Sequence, residues 1–120
     1  MPHMTIEFSD NLGCADPATL LAAVNNAALK SGLFEEADIK SRAYAASHFL
    51  IGVEDSLRAF IHVRISLLSG RLAEERRNLS ELVLSALDDA VGTQSGTELQ
   101  LNVETLEIDR QSYTKVVRRG

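Results

Sequence analysis

Pro2, Lys40, Arg42 and Arg71 are the residues whose types and spacing carry chemistry in this chain. Proline stands directly after the initiator methionine. A methionine before a small residue such as proline is usually removed, and its loss leaves Pro2 as a chain terminus with a secondary amine. An α-amino group titrates at about pH 8. Burial and neighbouring cations both lower that value, because both disfavour the ammonium form. A neutral secondary amine near neutral pH is a competent general base. The plainer use of the same residue is to open a strand, which proline is permitted to do. Lys40 and Arg42 lie two apart in a segment of alternating pattern. Strand residues i and i+2 share a face, so the two cations can converge on one anion. Arg71 precedes a helical segment, whose free backbone N–H groups also favour anions. Three solvated surface charges would be the plainer reading of this trio. Together with Pro2 they describe a base beside an anion clamp.

Other chemistries find less support. His3, His48 and His62 are too scattered for a ligand set, and there is no His-x-x-x-His pair or cysteine cluster, so no metal site is expected. Cys14 has no base partner in sequence and reads as a small loop thiol rather than a nucleophile. As the single cysteine it cannot form an internal disulfide. With no export signal, the cytoplasm is the expected compartment. The glycines match neither a phosphate loop nor a dinucleotide fingerprint. Glu74-Glu75-Arg76-Arg77 reads as a solvated first helical turn, with acidic groups near the positive helix end.

Composition sets the frame. The 120 residues, 45% apolar and 24% charged, suit one soluble globular domain rather than a disordered or low-complexity chain. Twelve Lys and Arg against seventeen Asp and Glu leave a net charge of −5, which argues against a nucleic-acid partner. No stretch approaches the roughly 18 apolar residues of a membrane span.

The elements that must position the four residues read as strand, helix, strand, twice over. Met4, Ile6 and Phe8 alternate with polar neighbours, and Ser9 to Cys14 looks like a turn. Asp16-Pro17 is a helix start, with a carboxylate N-cap and a proline whose missing N–H costs nothing there. Leu20, Leu21, Val24, Ala27 and Ala28 form an apolar stripe that Gly32 should end. Alternation resumes from Ile39 to Ala45, with Lys40, Arg42 and Tyr44 on one side. Phe60 to Leu68 is a strand directing Ile61, Val63, Ile65 and Leu67 one way. Gly70-Arg71 turns into a helix with Leu79, Leu82, Val83, Ala86, Leu87 and Ala90 at helical spacing, stopping near Gly92. Leu99, Leu101 and Val103 mark the last strand. A βαβ unit joins parallel strands through a right-handed crossover. The expected fold is therefore α+β: tandem βαβ units, about residues 1–57 and 58–120, forming one four-stranded sheet with both helices on one face. The other face would be bare, with small residues such as Ala43 and Ala45 on it, and a homo-oligomer is the natural cover.

The motifs occur in a recognisable order. Met1-Pro2-His3, the apolar strand and Ser9-Asp10-Asn11 are followed by Ile39-Lys40-Ser41-Arg42, then Phe60-Ile61-His62-Val63, then Gly70-Arg71 with Glu74 and Arg76. In this order and spacing they resemble the 5-carboxymethyl-2-hydroxymuconate Δ-isomerases of the tautomerase superfamily, up to about Glu107; the segment from Asp109 is not diagnostic. The resemblance implies a homotrimer and cofactor-free proton transfer by Pro2 on a small-molecule substrate, a dienol bearing several carboxylates. It assigns a catalytic role to Pro2 and Arg71, and carboxylate contacts to Lys40 and Arg42. Lys40 replaces the family's arginine, keeping the charge but losing the bidentate fork. Two other uses of such a chain are a related proline-dependent tautomerase, decarboxylase or dehalogenase, and a non-catalytic ferredoxin-like module that binds a small molecule.

Overall fold

The computed structural model describes residues 1–13, 16–93 and 96–120, so the expectation for Cys14 lies outside the described residues. Strand β1 (His3–Ser9) leads to helix α1 (Pro17–Lys30), a short 3-10 turn (Glu36–Asp38) and strand β2 (Lys40–Ala46). Strand β3 (Arg58–Leu68), helix α2 (Ala73–Ala90) and strand β4 (Glu98–Ile108) repeat the pattern. The sheet order is β2-β1-β3-β4. Each parallel pair, β1 with β2 and β3 with β4, is one βαβ unit, and β1 and β3 join the two units antiparallel.

Local sequence explains each element. Pro17 opens α1 after Asp16, whose backbone is extended as an N-cap requires. The Asp16 carboxylate accepts the Thr19 hydroxyl at 2.9 Å rather than a backbone N–H. Gly32, at φ +76°, takes the left-handed conformation that ends the helix. In α2 the backbone N–H of Leu72 donates to Glu75 Oε1 at 2.9 Å, so an acidic residue in the first turn caps the helix.

Period-2 alternation sends Met4, Ile6 and Phe8, with Ile61, Val63, Ile65 and Leu67, into a core closed by Leu20, Val24, Leu79, Val83 and Leu87 of the helices. Full burial of each large aliphatic side chain contributes about 1.5–3 kcal/mol. Leu82, although at helical spacing, sits at the stripe's edge and stays 39% exposed.

Register decides what the two faces carry. Ala43, Ile6, Val63 and Val103 form one row across the sheet on the helix side. Ala43 and Ala45, expected on the bare face, pair with Ile6 and Phe8 and so belong to the covered one. The uncovered face is polar instead. Its rows run Lys40–His3–Ser66–Leu106, Arg42–Thr5–Arg64–Glu104 and Tyr44–Glu7–His62–Asn102. Among the described residues, no helix is long and apolar enough to cross a membrane.

Candidate active site

The start of β1 faces a cleft of about 470 Å³, lined among others by Met1, Phe34, Asp38, Arg71, Tyr113 and Lys115. Pro2 is buried, and its carbonyl accepts the Lys40 N–H at 3.1 Å, which ties the terminus to the first residue of β2. Met1 is only 9% exposed. Its ammonium lies 4.0 Å from Asp38 Oδ2. Burial holds that amine below its ordinary value near 8.0; Asp38 opposes the shift, and Lys40, Lys115 and Arg71 add to it.

Arg71 is held from two sides by the loop that follows α1. Its Nη2 donates to the Leu33 carbonyl at 2.8 Å. Its guanidinium lies 5.1 Å from the centre of the Phe34 ring, a cation–π arrangement. Lys40 Nζ donates to the Asp38 carbonyl at 3.2 Å. Lys115 Nζ reaches Asp38 Oδ1 at 2.6 Å, tying the C-terminal segment to the turn before β2.

The structure thus brings Pro2, Arg71 and Lys40 to one end of the sheet. It takes Arg42 elsewhere. Strand alternation does put Arg42 and Lys40 on one face, but Arg42 is one residue pair further along, opposite Thr5 on the uncovered side. There its Nη2 donates to His3 Nδ1 at 3.1 Å. Sequence reasoning missed Phe34, Asp38, Tyr113 and Lys115. Tyr113 carries a faint signal, being the one Phe, Tyr or Trp after Phe60, in a mostly polar tail. His62 lies apart from the cleft, with Nε2 2.7 Å from Glu104 Oε2. Among the described residues, no group of three His, Cys, Asp or Glu is placed to hold a metal.

A family model described as 5-carboxymethyl-2-hydroxymuconate isomerase matches residues 2–117. The chain belongs to the 5-carboxymethyl-2-hydroxymuconate isomerase family. The match begins at Pro2 and runs through Tyr113 and Lys115, beyond the motifs that end near Glu107. A 5-carboxymethyl-2-hydroxymuconate Delta-isomerase of Escherichia coli is 30% identical over 88 residues, 72% of this chain and 70% of that one. The crystal structure of a 5-carboxymethyl-2-hydroxymuconate isomerase from Deinococcus radiodurans R1 is similar at a TM-score of 0.88 and 26% identity, over 98% of this chain and 90% of that one. A fused 4-OT, described as a symmetric trimer, shares the fold at a TM-score of 0.70 and 19% identity, over 91% and 87% of the two chains. The protein is an isomerase with the tandem βαβ fold of the tautomerase superfamily.

Proposed function

We propose that this member of the 5-carboxymethyl-2-hydroxymuconate isomerase family isomerises a carboxylated 2-hydroxymuconate-type dienol to its conjugated ketone, without a cofactor, once Met1 has been removed. One observation carries the reading: the N-terminus sits in a cleft with Arg71, Lys40 and Lys115 near it, and the field there favours a neutral amine. The cleft's size falls in the range of small-molecule sites.

In this mechanism the Pro2 nitrogen takes the 2-hydroxyl proton. The O–H electron pair becomes the carbonyl π bond, the two double bonds of the diene become one between them, and the far carbon accepts the proton from the Pro2 ammonium. One group serves as base and then as acid, so the step is balanced without any other reactant. Negative charge gathers on the oxygen that becomes the ketone and is already present on the carboxylates. Arg71, fixed by Leu33 and Phe34 and lining the cleft, is the residue proposed to bind a carboxylate. Lys40 supplies a second positive charge as a compact point donor.

The test compares two forms of one chain. With Met1 removed, Pro2 carries a free amine; with Met1 retained, its nitrogen is a tertiary amide with no basic lone pair. Assayed at matched concentration and checked by intact mass, the processed form turns the substrate over and the Met1-bearing form does not. Equal activity of the two forms would remove Pro2 from the mechanism.

We also propose that the chain assembles as a homotrimer. The uncovered sheet face and the segment between β2 and β3, where Leu50 and Leu57 are 72% and 70% exposed, both need cover. The fold's similarity to a fused symmetric trimer supports that stoichiometry.

A further inference from the structure

Three groups from distant parts of the chain form a directed hydrogen-bond chain that ends in the cleft. Arg42 Nη2 lies 3.1 Å from His3 Nδ1, and His3 Nε2 lies 3.1 Å from the Tyr113 hydroxyl. The Tyr113 hydroxyl in turn contacts the sulfur of Met1. The chemistry of the groups sets the direction. A guanidinium has donors only, so His3 Nδ1 must accept from Arg42, and the ring proton must then sit on Nε2. Nε2–H donates to the tyrosine oxygen. With that oxygen accepting from the imidazole, the phenolic proton points onward to Met1 Sδ. His3 is kept neutral for this role by its burial, then by the positive charges of Arg42 and Lys40.

Met1 is the residue that this isomerase would lose on activation. It lines the cleft, and its sulfur takes the one proton that Tyr113 has to give. We infer that Tyr113 is a catalytic residue, donating its hydroxyl proton in a hydrogen bond to the substrate oxygen that becomes the ketone, with His3 and Arg42 as positioning residues that aim it. Thus the C-terminal segment contributes the oxyanion donor, and Arg42 acts through His3 rather than on a carboxylate. A donor aimed at developing charge acts mainly in the transition state. The inference rests on the proline mechanism proposed above.

The experiment uses full-length protein with Met1 removed and a carboxylated 2-hydroxymuconate dienol as substrate. Tyr113→Phe keeps the ring and deletes the donor; being half-buried in the tail, the residue is tolerant of that change. Its kcat should fall about 100-fold, as for other single oxyanion donors. KM should stay within about twofold and Tm should be unchanged, the mark of an interaction made chiefly in the transition state. His3→Leu should lose most of the same factor, whereas His3→Gln, which keeps an N–H at similar reach, should restore part of it. In a Tyr113→Phe background, His3→Leu and Arg42→Met should have almost no further effect on kcat, because their target is gone. Full kcat in Tyr113→Phe, with the parent enzyme active, overturns the inference and leaves the Pro2 mechanism standing. Additive losses in the double variants overturn the positioning roles. An inactive parent enzyme overturns the Pro2 reading, and the inference falls with it.

Discussion

Pro2 and Arg71 could be singled out from residue type and position because their chemistry is local: an amine next to a removable methionine, and a cation at a helix start. Arg42 shows where that reasoning ends. Strand parity puts Arg42 on the face of Lys40, but only the β1–β2 register reveals that its neighbour is His3. Arg71→Ala should cost about 2–4 kcal/mol of transition-state stabilisation, the range for a charge-assisted contact in a water-excluded site. Chemical denaturation should show a smaller effect on folding, about 0.5–1.5 kcal/mol, because the half-buried Arg71 also loses its hydrogen bond to the Leu33 carbonyl. Steady-state kinetics beside a denaturant titration measures both; a variant with unimpaired kcat/KM would exclude Arg71 from the clamp. For the processed enzyme, the burial and the cations that depress the amine at Met1 should act on the Pro2 amine as well. A base is active when deprotonated, so kcat/KM should rise with pH through a limb that lies below pH 8. A limb at or above that value would mean that these surroundings do not act on Pro2.

At the scale of elements, helices and strands were legible wherever one periodicity held. The β4 pattern is readable only to Val103, because the helix-side position at 107 holds an exposed glutamate, 3.8 Å from Arg76 of α2, while Leu106 lies on the open side. A charge on the covered side and a leucine on the open side invert the alternation, so the strand's last residues were lost to sequence reading. Ser9, a small polar residue, reads as the start of a turn. It is a fully buried final strand residue, whose hydroxyl accepts the Phe60 N–H at 3.0 Å. Core positions in the central strands should be the sensitive ones. Ile61→Ala should cost about 2–5 kcal/mol, through lost burial and the cavity left behind. Thermal unfolding would show it as a clear drop in Tm, whereas little change would mean the site collapses around the smaller side chain. The C-terminal segment is held by Arg110 on Ser69 and Tyr113 on His3, and beyond them by a surface ion pair from Lys115 to Asp38. Asp38 is held below the usual carboxylate range, first by the hydrogen bond from Lys115 and then by the terminal ammonium. A depressed carboxyl group contributes its stability above its unfolded pKa and loses it as pH falls through the folded value. The anchor should therefore persist through neutral and mildly acidic pH and release only below about pH 4. NMR shifts of Lys115 and Asp38 across that range would follow it; release near pH 6 would show that Lys115 does not depress Asp38 in this way.

The whole molecule is a single sheet covered on one side. The polar composition of its open face overturns the idea that small apolar residues there drive assembly, and shifts attention to ion pairs and to the apolar β2–β3 segment. Light scattering should give three times the chain mass, and a monomer at micromolar concentration would refute the trimer. Salt should weaken such an assembly more than it would weaken a purely apolar one, because screening acts on exposed charges.

The two ends of the chain meet at the site: Met1 and Tyr113 are 112 positions apart and in contact. That meeting has a consequence for the life of the protein. A peptidase that trims the initiator residue needs an extended terminus it can reach, and the folded chain presents one that is 9% exposed. The trimming that the Pro2 mechanism requires should therefore take place at the ribosome-bound stage, before Tyr113 has been synthesised. On that mechanism maturation would be a race between the peptidase and the closing of the fold, and a chain that lost the race would stay capped by its own first residue. Folded, Met1-bearing protein should resist a methionine aminopeptidase for hours, while a peptide of its first twelve residues is cut readily. Mass spectrometry distinguishes the two, and rapid trimming of the folded chain would show that the terminus opens on its own.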